Sequence, residues 1–217
     1  VKSVNRKFEG YVCMKNIPKN RLKQFGLSIK CNRKRNLNRT NAAKWTQSNF
    51  CKDICSQNLL IGVEKGNVSR FLENYSLFAK QLGLKITYSA DVDKRIDAYT
   101  KEIYHAIEYY DFATMKKYFA KLYEMLEPMK NYLWYCDLYY AASVIEGYYL
   151  DRKFIDSDDR LYYADMIGEF SDEWDEMLKA IVFISEYHDL DSIEYLNYFK
   201  SFGIDKCKSA INKVKTM

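Results

Sequence analysis

Apolar residues recur at helical spacing in segment after segment between Arg21 and Val214, and this period limits what the chain can become more than any single motif does. Asp91–Tyr109 carries Ile96, Tyr99, Ile103, Ala106 and Ile107 on one stripe, and Asp111–Leu126 carries Met115, Phe119, Leu122, Met125 and Leu126. The same pattern predicts helices over Asn131–Leu150, Asp158–Phe170, Asp172–His188, Asp191–Phe202 and Asp205–Val214, with breaks marked by Pro128, Asp156-Ser157 and Gly203. Two prolines and eight glycines in 217 residues argue against a loop-rich or all-β chain. The expected fold class is all-α. Successive hairpins begin about 35 to 40 residues apart, near the tetratricopeptide (TPR) period of roughly 34. This predicts TPR-like antiparallel helical hairpins over residues 90–217, although most signature residues of that repeat are missing.

Charge divides the chain at the same place. Val1–Lys85 holds 18 Lys/Arg against 4 Asp/Glu, a net +14, and the remainder holds 16 against 25, a net −9. Such asymmetry predicts a boundary near residue 86 and a polyanionic partner for the first half. Residues 1–20 contain five Lys/Arg and no apolar core of a signal peptide. They read as a poorly ordered basic segment with no secretory signal, and Met14 is a candidate alternative start. No run of about 18 apolar residues exists, so no membrane span and no membrane partner are expected, and the predicted location is cytoplasmic.

Within the basic half, Arg21–Asn36 places Leu22, Phe25 and Ile29 at helical spacing, and Asn36–Lys44 reads as a polar connection. Thr46 is placed to cap a helix over Gln47–Ile54, with Phe50, Cys51 and Ile54 inward. Ser56 caps the next, Gln57–Lys65, which Gly66 ends. A further helix over Phe71–Leu82 buries Leu72, Tyr75, Phe78, Ala79 and Leu82 and stops at Gly83. Helix, helix, tight turn, helix, loop, helix is the layout of a helix-turn-helix domain, here residues 21–86. On Gln57–Lys65 the 100° wheel turns Leu59, Leu60 and Val63 inward, leaving Asn58, Ile61, Gly62 and Lys65 outward with Gln57 at the leading edge. Gln57 and Asn58 could pair with adenine and Ile61 could touch a thymine methyl; the alternative is that the amides are merely exposed. Lys44, Gln47, Lys65 and Arg70 are better placed for phosphates.

T-Q-x-x-F-C at Thr46–Cys51, D-I-C-S-Q at Asp53–Gln57, V-E-K-G at Val63–Gly66 and the F-A-K-Q-L-G-L ending resemble the XRE (phage-repressor-like) helix-turn-helix family, most closely the PlcR/ComR/Rgg group of Gram-positive regulators. The resemblance covers about residues 22–85. It implies a transcriptional regulator that binds double-stranded DNA, with a structural ion pair between an arginine late in the first helix and the glutamate before the stop, here Arg33 and Glu64. It also implies that the helical repeats form a homodimer and bind a short signalling peptide. Three positions depart from the family pattern: a longer connection before Thr46, Gly62 where a polar residue is usual, and Arg70-Phe71 in place of Pro-Ser.

Of 20 tyrosines, 17 follow residue 90, with adjacent pairs at 109–110, 139–140, 148–149 and 162–163. In these adjacent pairs the two rings cannot both face inward. Amphipathic burial accounts for most of them, and the rest predict a ligand groove or dimer surface, with Tyr135, Tyr139 and Tyr163 as groove residues. Cys51 and Cys55 read as small buried residues, with a metal or redox pair as the alternative. His105 and His188 lack a second ligand at metal spacing, and no phosphate loop or nucleophile elbow occurs. No catalytic residue, metal or cofactor is expected, and the chain is not expected to be an enzyme. The rival reading is a helical-repeat interaction scaffold whose helix-turn-helix no longer binds DNA.

Overall fold

A computed structural model describes residues 17–39 and 42–189. The expected helices Asp191–Phe202 and Asp205–Val214 lie outside the described residues, as does most of the N-terminal segment. Among the described residues there are nine α-helices and no strand, only an isolated parallel bridge between Lys85 and Tyr132. The chain divides into two compact units. The first runs to Ala90 and takes in Asn131–Trp134 as well; the second comprises Asp91–Lys130 and the residues from Tyr135 onward.

The first unit contains α1 (Lys19–Arg39), α2 (Gln47–Phe50), α3 (Gln57–Glu64) and α4 (Glu73–Gln81). Ile17 is already buried and α1 begins at Lys19, before the expected Arg21. The helix also runs on through part of the segment read as a polar connection, and Ala42–Trp45 makes a 3₁₀ turn. α2 stops at Phe50 rather than Ile54, because Asp53 takes a left-handed backbone (φ 65°). Aspartate tolerates that conformation better than most residues. Phe25 and Ile29 of α1, Phe50, Leu60 and Val63 of α3, and Tyr75 and Phe78 of α4 form the core, with the Phe50 and Phe78 rings stacked at 5.4 Å. Gly26 is required here. A Cβ at that position would lie 2.2 Å from the Val63 carbonyl oxygen, so α1 meets α3 at bare backbone.

Asn131–Trp134, expected to open a long helix, instead pairs with residue 85. Lys85 N donates to Asn131 O and Leu133 N to Lys85 O, both at 2.8 Å. Trp134 N donates to Ser28 Oγ (3.1 Å), and the Arg21 guanidinium lies 3.3 Å from the Trp134 ring centroid. With its backbone groups taken by Lys85 and Ser28, this stretch has no need of a helical turn.

The second unit contains α5 (Ala90–Glu108), α6 (Phe112–Leu126), α7 (Tyr135–Asp151), α8 (Ser157–Met166) and α9 (Asp172–Asp189). Ile96, Ile103 and Ala106 of α5 and Met115, Phe119, Leu122 and Leu126 of α6 are buried. Asp111 caps α6, accepting from Thr114 N (3.0 Å) and Thr114 Oγ1 (2.6 Å), which holds its carboxyl below the usual range. α8 ends at Met166, not Phe170, because Gly168 turns left-handed (φ 95°). One expectation about the tyrosines fails. Both members of the pairs 148–149 and 162–163 are buried, at 5–8% exposure. α7 lies against α6 on one side and α9 on another, and α8 in turn covers α9. A helix covered on several sides has more than one inward face.

Candidate nucleic-acid interface

The α2–turn–α3 segment is shaped by two caps and one buried charge cluster. Thr46, extended at ψ 148°, accepts from Asn49 N; Ser56, extended at ψ 150°, accepts from Leu59 N. Each satisfies an amide that the first helical turn leaves open. Between them Ile54 N and Cys55 N both donate to Cys51 O at 3.0 Å. Cys51 is buried and Cys55 half-buried, both as free thiols; burial, and secondarily Cys51, push the Cys55 thiol up, which makes it a less reactive group.

Behind α3, Arg33 grips Glu64 with two prongs, Nε to Oε1 at 2.5 Å and Nη2 to Oε2 at 3.0 Å, and its Nη1 donates to Trp45 O at 2.8 Å. Gln47 Nε2 completes the cluster at 2.7 Å from Glu64 Oε2. Arg33 and Glu64 are each only 5% exposed. One charge pair thus ties α1, the 3₁₀ turn, α2 and α3 together. Gln47 belongs to this interior cluster rather than to a phosphate-facing set, because the second carboxylate oxygen draws its amide inward.

The outward side of α3 is formed by what the buried side leaves. With Leu60, Val63 and Glu64 inward, Gln57, Asn58 and Lys65 are exposed, and Ile61 and Gly62 are half-buried. Lys44 and Arg70 are exposed as well, and so is Lys52, which the sequence reading did not single out. α3 ends in a Schellman stop: Gly66, at φ 82°, donates to Val63 O (2.9 Å), and Asn67 N donates to Gly62 O (2.9 Å). The loop that follows is pinned by Ser69 N donating to the Tyr75 hydroxyl (3.1 Å) and by Phe71 N donating to Ser69 Oγ (3.0 Å). Leu59, Gly62, Val63, Val68 and Phe71 line an apolar hollow of about 240 Å³ between α3 and this loop. Gly62 costs α3 about 1 kcal/mol relative to alanine.

Of the three tyrosines expected to line a groove in the second unit, two are buried. Tyr135 is fully buried, its hydroxyl donating to Asp93 Oδ1 at 2.9 Å, and Tyr163 is buried beside Tyr162. Tyr139 is half-buried, edge-on to Tyr123 at 5.3 Å, with Lys130 Nζ 4.1 Å from its ring centroid. Tyr135 and Tyr139 lie on α7, which has both α6 and α9 as neighbours, and Tyr163 lies on α8. Among the described residues no cluster of three or more His, Cys, Asp or Glu could hold a metal ion, and no helix is long and apolar enough to cross a membrane.

Comparison of the chain with protein-family models, with curated proteins and with solved structures finds no match.

Proposed function

We propose that the protein is a sequence-specific DNA-binding transcriptional regulator of the XRE type, with α2 and α3 as its helix-turn-helix. The observation that carries this reading is α3 itself. A capped eight-residue helix, backed by a buried ion pair, turns Gln57 and Asn58 outward within a segment of net charge +14. Amides at the leading end of such a helix suit adenine N6 and N7 in the major groove. Lys44, Lys65 and Arg70 are the phosphate contacts, and Lys52 joins them. The TPR-like helices of the second unit supply a homodimer, since one helix in one groove reads too few base pairs. With Tyr135 and Tyr163 buried, a peptide ligand has weaker support than DNA.

The rival, a scaffold without DNA affinity, draws on the apolar hollow beside α3 and on Phe71 at its edge, 56% exposed. Selection of duplexes from a random pool separates the two. The regulator enriches a defined site, binds it with an affinity that falls log-linearly with salt, and loses about 1–3 kcal/mol per amide in the Gln57→Ala, Asn58→Ala double variant. An unenriched pool, or a double variant of undiminished affinity for the selected site, would defeat this assignment of α3.

A further inference from the structure

Building on the reading of α3 as the DNA reader, we infer that Gly62 and the hollow beside it receive the 5-methyl group of thymine, so that an apolar window at the centre of α3 reads sequence alongside its amides. Position is the first support. At 100° per residue, Asn58, Gly62 and Lys65 fall opposite the buried Leu60, Val63 and Glu64, which puts Gly62 in the middle of the outward side.

The second support is that the fold does not need glycine there. A Cβ at Gly62 would meet only Asn67, at 3.6 Å from Nδ2 and 3.9 Å from Cβ, which is ordinary contact. Gly26, whose missing Cβ is what lets α1 approach Val63, is the contrast within the same unit. The Asn67 side chain therefore borders Gly62 at contact distance and leaves room for a Cβ.

Chemistry and charge decide the occupant. Leu59, Val63, Val68 and Phe71 make the hollow apolar, and hydrogen bonds from Asn67 N, Ser69 N and Phe71 N fix the loop that forms its far wall. Exposed Arg70 lines it together with Asn67 and Ser69, and exposed Lys65 follows the last turn of α3. The occupant must be apolar at one point and anionic around it. In the major groove the thymine methyl is the apolar group that bases present, and phosphates flank it. Duplex DNA meets both conditions.

Replacing each thymine of the selected duplex by uracil, one at a time, deletes only that methyl. The full-length protein is expected to lose about fourfold in affinity at one position per half-site, the worth of one buried methyl group. Gly62→Leu, which puts a side chain into the hollow beside position 62, should bind the thymine duplex more weakly and show no difference between thymine and uracil at that position. Gly62→Ala, with an unfolding midpoint no lower than that of the parent, shows that position 62 tolerates a side chain. If every uracil duplex binds within twofold of its thymine parent, the window is not a reader. If Gly62→Leu keeps the discrimination and Ile61→Ala removes it, Ile61 reads the methyl and the assignment to Gly62 is wrong. A pool that enriches no duplex at all defeats the DNA-binding reading itself, a result distinct from both.

Discussion

In the first unit one buried cluster, where Arg33, Glu64, Gln47 and the Trp45 carbonyl meet, joins four elements; in the second the tyrosine-to-carboxylate bonds are single, Tyr135 to Asp93 and Tyr162 to Asp137. Helix length accounts for the difference. α2 has four residues and α3 eight, too short to persist alone, so their positions depend on caps and a shared tie. α5, α6, α7 and α9 have 15 to 19 residues and bury long stripes, and individual hydrogen bonds only adjust their register. A unit tied at one point should fail there first. A unit tied at many should lose stability by increments.

The comparison is broken most forcefully at Glu64. Glu64→Ala leaves the Arg33 guanidinium buried without its carboxylate and should destabilise the first unit by about 3–5 kcal/mol. Amide hydrogen exchange should quicken across α1, α2 and α3 while α6, α7 and α9 keep their protection. Arg33→Met with Glu64→Leu, which removes both charges, should recover much of the loss. Equal quickening in both units would mean that the tie is not local to the first.

Tyr162→Phe is the matching change in the second unit. It removes the hydroxyl that donates to the fully buried Asp137 at 3.0 Å and should cost about 1–3 kcal/mol, the range for a buried acceptor that loses a donor. Urea unfolding should show a lower midpoint with an unchanged slope, and protection should fall in α7 and α8 without disappearing. Complete loss of protection there would make the second unit as dependent on one contact as the first.

How far the sequence revealed these units depends on whether each signal was local. Thr46, Ser56, Gly66 and Gly83 were legible as caps and stops because a hydroxyl or a missing Cβ acts within a few residues; Gly66 and Gly83 do take positive φ, 82° and 74°. Asp53, Tyr110, Trp134 and Arg152 do the same left-handed work without glycine, so the short α2 and the late start of α7 were hidden. The pairing of Lys85 with Asn131 and Leu133 was hidden for another reason: it joins residues more than forty apart, and Tyr132, Leu133 and Trp134 continue an apolar pattern that reads as helix. The outward placement of Asn58 followed from Leu60 and Val63, and the exposure of Gln57 from its place at the leading edge of α3. The draw of Glu64 on Gln47 could not be read without knowing that Arg33 leaves one carboxylate oxygen able to take a further donor.

The smallest effect sharpens the comparison by pH. Asp175, at the start of α9, is 7% exposed and accepts from Gly168 N at 2.9 Å. Burial raises its carboxyl above the ordinary 3.8, with the Gly168 amide and Lys179 opposing. The folded chain therefore holds this proton more tightly than the unfolded chain does. Its contribution favours folding most at low pH, is lost as pH rises from 3.8 through the raised folded value, and is a constant cost above it. Asp175→Asn keeps an oxygen for Gly168 N and removes the charge. It should raise the urea midpoint at pH 7 and converge on the parent as pH falls towards 3. A lower midpoint for Asp175→Asn at pH 7 would show that this carboxylate, too, is stabilised by charge, and the contrast between the units would narrow to the number of their ties.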